Sequence, residues 1–514
     1  MNPLKNKAKY FLENPILLYV FVYLLINILF LDNFPFVHSD ESWLSGLSRN
    51  YLESGSPAVT ETFFNTYPRF PHGIKIIFHY IQSAFIFLLG YSPFTIRLVS
   101  LLSSCGALYI FYLINYKKTK DLSFALISTV VLSLDIQYIY ASHFARQEII
   151  ILFLMLFCYY IYYASISSTL KSLILAILTG IAIGFHPNAL FIAAMTGSLY
   201  LYDILVVKRE KAPSLAIYVL VTGILASIFV ILSFSFDSNF IYHYKNFGDQ
   251  FGVLETSSTK LATLKYFYLK LYYSLSGTYY TPYIKFQFWI FIFSIAGALY
   301  CIVRNKNEYY LSGLLLCIVG INITFVVIGR YNQTSMVFLV PFMWLIYLNL
   351  VNRTNVKRLM TMATCFLLFY FSIFNIYPYI NNDYKDYIDN ISEIVSPEDK
   401  VLCNLNAEFY FDNGSLLDYR NLHYLKDNDI TFEKYIYSNN IEYIIYPEEM
   451  DFIFDHRPVW NGIYGNLYYY YNDMNSFLED KCTLEIEFTS PYAMRIVRYM
   501  DSEEWSVKIY KVLH

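Results

Sequence analysis

Eleven apolar stretches follow one another through the first three quarters of the chain, at roughly 15–33, 94–116, 121–135, 147–164, 171–185, 189–207, 213–236, 286–303, 309–329, 332–350 and 358–377. About 20 mostly apolar residues suffice for a helix to cross a bilayer, so this pattern predicts a polytopic helical membrane protein. A twelfth stretch at roughly 73–90, "HGIKIIFHYIQSAFIFLLG", is shorter and carries Lys75, His79 and Gln82.

Basic clusters decide how that twelfth stretch is read. Lys5, Lys7 and Lys9; Lys117, Lys118 and Lys120; Lys208, Arg209 and Lys211; Arg304 and Lys306; and Arg353, Lys357 and Arg358 mark one side of the membrane as cytoplasmic. Neighbouring clusters must be separated by an even number of crossings. Three apolar stretches lie between the first cluster and Lys117, so one of them does not cross. The polar 73–90 segment is predicted to lie partly embedded at the surface, which makes about 33–93 one long outside loop. The basic N-terminus leads into an apolar run with no small-residue cleavage site after it, which reads as an uncleaved first span with its N-terminus inside. Eleven spans then put the C-terminal segment outside, in a plasma or inner membrane.

From about residue 381 the period changes. "KVLCNLNAEFYF" (400–411), "IEYIIYP" (441–447), "AMRIVRYM" (493–500) and "WSVKIYKV" (505–512) read as strands, interleaved with helix-like "TFEKYIYSNN" and "NDMNSFLED". The expected architecture is therefore a membrane module over 1–380 and a small extracytoplasmic α/β domain over 381–514, large enough for a core of its own.

Composition agrees with this reading. The 514 residues are 56% hydrophobic and only 15% charged, too apolar for an ordinary soluble multidomain protein, and a net charge of -3 gives no footing for bulk nucleic-acid binding. The 53 Tyr and 44 Phe fit a coding bias as well as any function. Seven Cys form no C-x-x-C pair, and five lie in apolar stretches; Cys403 and Cys482 could pair only if the C-terminal region is outside.

The outside loops carry the candidate chemistry. Asp40 and Glu41 stand at the start of a helical pattern in which Trp43, Leu44, Leu47 and Tyr51 share a face and Gly55 is placed as the stop. Asp40 reads either as a simple N-cap or as a general base acting on an acceptor hydroxyl, with the other carboxylate orienting or ligating. Arg69 in "YPRFPHG", Arg146 in "HFARQE" and Arg330 in "GRYNQ" read either as snorkelling helix-end cations or as contacts for a lipid-borne phosphate. His72, His143, Glu148 and His186 are candidate lining residues. Together with His243 these residue types could ligate a divalent cation, but no spacing is diagnostic of zinc, and "HPN" at 186–188 equally suits a turn.

These motifs resemble the GT-C superfamily of membrane glycosyltransferases, particularly the branch of protein O-mannosyltransferases and lipid A aminoarabinose transferases. "HSDESWLSGLSRNYLESG" is similar to its Asp-Glu motif and juxtamembrane helix, "YPRFPHGIKIIFHYIQSAFIFLLGYSPFTIRLVSLLSS" to its proline loop and "RL" opening of span two, "ASHFARQEIIILF" to its Arg-x-acid signature, and "RYNQTSMVFLVPFMW" to a late "RY…P" span. The resemblance is dense over the first 210 residues or so and thin beyond. It implies an inverting transfer of a sugar from a polyprenyl-phosphate donor to an outside glycan, lipid or protein acceptor. Asp40 and Glu41 would be the carboxylates and Arg69, Arg146 and Arg330 the donor-phosphate contacts. One departure stands out: where the aminoarabinose branch reads Glu-Lys-Pro-Pro, this chain has Pro68 in the glutamate position, which questions the metal site of that branch. The rival from another class is a lipid-sugar flippase, which would need ionisable residues deep in mid-span.

Overall fold

The computed structural model describes residues 14–249, 257–275, 277–329, 331–496 and 505–513. All eleven apolar stretches are helical. In chain order, α1 (Pro15–Ile28) is followed by α2 (Ser39–Ser54) and α3 (Ile76–Leu89), then α4 (Pro93–Thr119), α5 (Leu122–Ser133), α6 (Ile136–His143), α7 (Glu148–Tyr162) and α8 (Ser168–Phe185). The bundle continues with α9 (Leu190–Tyr202), α10 (Ala212–Phe236), the loop helices α11 (Phe240–Asp249) and α12 (Ser257–Tyr272), α13 (Lys285–Arg304), α14 (Tyr309–Ile328), α15 (Val340–Val351) and α16 (Lys357–Ile376). Among the described residues, eight helices are long and apolar enough to cross a membrane, and the bent pair α5–α6 makes nine; α1 and α7 are shorter, at 14 and 15 described residues. The chain is an integral, multi-pass membrane protein.

The polar residues that weaken 73–90 as a span have partners. On α3, His79 Nδ1 lies 2.9 Å from the Ser48 hydroxyl, Gln82 Oε1 accepts from that hydroxyl at 2.8 Å, and Ser83 Oγ donates to the Ser48 carbonyl at 2.6 Å. Serine on α2 therefore joins the two helices through buried hydrogen bonds, where an apolar contact would be less directional.

The stretch between the apolar runs at 121–135 and 147–164 is not an irregular loop. Ile136–His143 is a buried helix that continues α5 after a 67° bend. Asp135 causes the break: its Oδ1 accepts the Gln137 N–H at 2.9 Å and so caps a new helix, while its Oδ2 accepts from Trp344 Nε1 at 2.9 Å. A segment that looks polar is thus folded into the bundle.

Beyond α17 (Tyr384–Ser392), the C-terminal region builds a five-stranded sheet from β1 (Val401–Cys403), β2 (Leu416–Asp418), β3 (Tyr443–Pro447), β4 (Cys482–Thr489) and β5 (Ser506–Val512), with α18 (Phe432–Ser438), α19 (Glu449–His456) and α20 (Leu467–Lys481) between strands. The order is β2-β1-β3-β5-β4, parallel among the first three and antiparallel beyond. β2 and β4 were not expected, and 493–496 is no strand: the N–H groups of Arg495 and Ile496 bond the Glu449 carboxylate instead, at 2.9 and 2.7 Å. The rest of that predicted strand lies outside the described residues. Cys403 and Cys482 are both free. Two strands separate β1 from β4, about 14 Å at the usual strand spacing, twice the reach of a disulfide.

One face of this sheet is covered by its own helices. The other packs against Val37, Phe63 and Phe64 of the first loop, all buried, with Trp43 and Tyr67 alongside. The core of the domain is completed by the membrane module.

Candidate active site

The start of α2 places the two carboxylates in different surroundings. The cap is His38, not Asp40: its Nδ1 accepts the Asp40 N–H at 3.0 Å, and the His38 N–H donates to Glu41 Oε2 at 3.0 Å, closing a capping box. Burial pushes the His38 imidazole below its ordinary pKa, against the pull of Asp40 and Glu41, so the cap is neutral. Asp40 is thereby released from capping, and its carboxylate sits in the favourable field of the helix N-terminus. At the other end Gly55 closes the helix as anticipated, in the left-handed conformation (φ 66°).

Glu41 is fully buried. Its carboxylate forms a bidentate pair with Arg97 of α4, at 2.8 and 2.7 Å, and also accepts the Ala145 N–H at 2.9 Å. Arg97, equally buried, donates in turn to the Leu31 carbonyl at 2.8 Å. Glu41 therefore does not face a substrate; it ties the start of α2 to α1, α4 and the α6–α7 link. Arg97 was legible only as part of the "RL" opening of span two.

Asp40 turns the other way and keeps its side chain 23% exposed. Its Oδ2 accepts from Arg146 Nη1 and from the Tyr279 hydroxyl, and Arg146 Nη1 also donates to that hydroxyl at 2.7 Å. The opposite edge of the Arg146 guanidinium bonds Glu148, with Nη2 at 3.1 Å from Oε1 and Nε at 3.3 Å from Oε2; Glu148 Oε1 accepts from Thr334 as well, at 2.8 Å. The Tyr279 ring stacks on His38 with centroids 4.6 Å apart and planes 10° apart. Four separate chain segments thus converge on one cation and two carboxylates. Tyr279, in the long loop before α13, was not singled out from sequence: one tyrosine among 53 carries no signal until its loop folds onto α2.

The remaining candidates are elsewhere or otherwise engaged. Arg69 makes a bidentate pair with buried Glu61, at 2.8 Å for each bond, and lies over the Trp43 and Phe247 rings. Burial alone would raise the Glu61 carboxyl, but the Arg69 charge and hydrogen bonds, with one from Trp43, hold it down at about 2. Arg69 and Glu61 line an open groove of about 530 Å³ with Asn50, Val59, Thr60 and Thr62, apart from Asp40. His72 lies beside Phe70 and Tyr244; burial, with Lys75 and Arg69 nearby, pushes it down to about 3. His143 is buried, with Nε2 2.8 Å from Asn27 Oδ1 and Nδ1 3.1 Å from the Phe34 carbonyl, and so fixes α6 to α1. His186 accepts the Asn188 N–H at 3.0 Å and serves the turn. Arg330 lies outside the described residues.

A divalent cation does not fit this donor set. Asp40 and Glu148 are bridged by a guanidinium, Glu61 is closed by Arg69, and among the described residues no three His, Cys, Asp or Glu side chains gather to hold a metal.

Comparison with known proteins bears on the fold. Residues 47–241 match the family model of dolichyl-phosphate-mannose-protein mannosyltransferase. None of the curated proteins matches the chain. Among solved structures, ArnT from Cupriavidus metallidurans bound to undecaprenyl phosphate aligns over 84% of this chain and 95% of its own, at 12% identity and a TM-score of 0.54. The archaeal oligosaccharyltransferase AglB from Archaeoglobus fulgidus, in complex with an inhibitory peptide and a dolichol-phosphate, aligns over 94% of this chain and 74% of its own, at 11% identity and a TM-score of 0.51. At these identities the likeness establishes the architecture.

Proposed function

For a chain with the GT-C fold of membrane glycosyltransferases, we propose an inverting transfer of a sugar from a polyprenyl-phosphate donor to a hydroxyl of an extracytoplasmic glycan, lipid or protein. The single observation that carries this reading is the Asp40–Arg146–Tyr279 cluster: a partly exposed carboxylate set against a cation. General-base catalysis needs an acceptor oxygen within hydrogen-bond reach of such a carboxylate. Departure of the lipid phosphate needs a cation close to the same point.

In the proposed step Asp40 takes the proton from the acceptor hydroxyl as that oxygen bonds to C1 of the sugar. The bond from C1 to the phosphate oxygen breaks, and the polyprenyl phosphate leaves with the electron pair beside Arg146. One displacement inverts C1. Tyr279 and Glu148 hold Arg146 and Asp40 in mutual register, and Glu41 holds the helix that carries the base. Of the three arginines expected to contact the donor phosphate, Arg146 is the one supported by its place beside Asp40. Arg69 is not supported in the same way, since it lies in the groove with Glu61, apart from Asp40. The C-terminal domain and the site are read as extracytoplasmic from the charge parity of the loops.

The test is Asp40→Asn in the purified protein, assayed with a panel of radiolabelled polyprenyl-phosphate sugars and an envelope extract as acceptor. Loss of turnover by about 10²–10⁴ with retained binding of undecaprenyl phosphate is expected. Unchanged turnover would remove Asp40 from the role of base.

A further inference from the structure

We propose that the C-terminal domain is a positioning element for the Asp40 helix, acting through Asn406 and Arg420. This rests on Asp40 being the base, and it gives the domain a role in aiming the carboxylate. The domain grips α2 along its whole length.

Just before the cap, buried Asn406 donates from Nδ2 to the Val37 carbonyl at 3.1 Å, and the same nitrogen is held by the carbonyls of Tyr492 and Met494 at 2.8 and 3.0 Å. One turn after the cap, the Arg420 guanidinium lies over the Trp43 ring, 4.3 Å from its centroid, and 5.1 Å from that of Phe64. Arg420 is fixed at 2.8 Å by Asp418, which lies at the end of β2 and also pairs with Arg495. At the far end of α2, Arg49 donates to the Phe411 carbonyl at 2.7 Å.

The loop that supports Trp43 is seized as well. Asn421 Oδ1 accepts N–H bonds from Asn65 and Thr66 at 3.0 and 3.2 Å, and its Nδ2 donates to the Phe63 carbonyl at 2.9 Å. That loop carries Glu61, whose Oε1 accepts from Trp43 Nε1 at 2.6 Å. Asp40 stands midway between Val37 and Trp43, the two points held at its end of the helix.

The physical argument is one of tolerance. Proton transfer and in-line attack fail when the base moves by about 1 Å, and such a displacement can lower turnover about a hundredfold. A helix as polar as α2 gains little from apolar packing and takes its register largely from what it bonds. Glu41 and Arg97 tie one side of it to the bundle; the domain ties the other. Asn406 and Arg420 touch no reacting atom in this scheme, so their effect passes through α2.

Two variants of the full-length protein test this: Asn406→Ala, and Arg420→Gln, whose side chain is partly exposed and whose partner Asp418 keeps its pair with Arg495. Hydrogen exchange of peptides covering 37–45 and turnover of a polyprenyl-phosphate sugar are read together. The expected result is about tenfold to a hundredfold faster exchange in 37–45 and a fall in kcat of similar size. The KM for the donor, the undecaprenyl phosphate affinity and the protection of the membrane helices should not change. Unchanged exchange in 37–45, or unchanged kcat, in either variant that folds overturns the proposal. If Asn406→Ala does not fold, Arg420→Gln decides alone. Should the wild type turn over no donor in the panel, the transferase reading fails while the exchange measurement still decides whether the domain holds the helix.

Discussion

Replacing Glu41 by Gln keeps the shape of the side chain and removes its charge, which isolates what the buried pair does. Glu41 and Arg97 are both fully buried, and the carboxylate accepts from two guanidinium nitrogens and from the backbone of His38 and Ala145. With Gln in place the Arg97 charge is left uncompensated in the interior, and one of the amide's two polar atoms is a donor facing donors. Breaking one partner of a buried pair costs about 3–5 kcal/mol. We therefore expect a markedly lower thermal midpoint for Glu41→Gln in detergent, read by size exclusion after heating or by intrinsic fluorescence. The double variant Glu41→Leu with Arg97→Met removes both charges and should recover most of that loss, since apolar replacements of buried pairs are commonly neutral or better. Turnover should not recover with it, because the N–H groups of His38 and Ala145 still lack their acceptor and the first turn of α2 is no longer held. A Glu41→Gln protein with wild-type midpoint and turnover, or a double variant with full turnover, would refute the reasoning.

Tyr279→Phe deletes the hydroxyl that donates to Asp40 and accepts from Arg146, a charge-assisted bond worth about 1.5–3 kcal/mol, so the thermal midpoint should fall slightly and kcat by roughly 10- to 100-fold. Glu408 predicts a pH response. It is fully buried at the junction with α2; burial, Glu53 and Asp418 raise its carboxyl to about 8 despite Arg49, whose Nη1 lies 4.0 Å away. A folded value above the ordinary one of about 4.3 means that its contribution is fully present below pH 4.3 and is lost as pH rises through about 8. Thermal midpoints measured between pH 5 and 9 should fall with pH, and Glu408→Gln should flatten that slope; an equal slope in the variant would contradict the assignment.

Much of the architecture was legible because its signals are local. Spans follow from runs of apolar residues, and the strand-rich C-terminal region follows from a change of period. One group of failures comes from polar residues whose partners lie far along the chain; the missed strands are a second. Nothing local in "DIQYIYASH" marks Asp135 and His143 as buried, yet Trp344 and Asn27 take them up within the bundle. β2 has three residues and offers almost no periodic signal. β4 does alternate, Leu484, Ile486 and Phe488, but the register shift between Leu484 and Ile486 interrupts its pairing.

What the sequence determined by itself is the kind of molecule and the segment to watch. Hydrophobic runs fix how many helices can leave water, and a capping pattern before a juxtamembrane helix fixes where two carboxylates stand. Only the tertiary structure decided what each carboxylate does, since adjacent residues on a helix point about 100° apart and their fates depend on what lies in each direction. Glu41 met a buried arginine 56 positions later and became part of the frame. Asp40 met Arg146 and Tyr279, arriving from two distant loops, and kept part of its surface open. His38 took over the cap, which no count of residue types could have assigned, because the choice among neighbouring caps is made by whichever side chain the surrounding fold leaves free to turn back on the backbone.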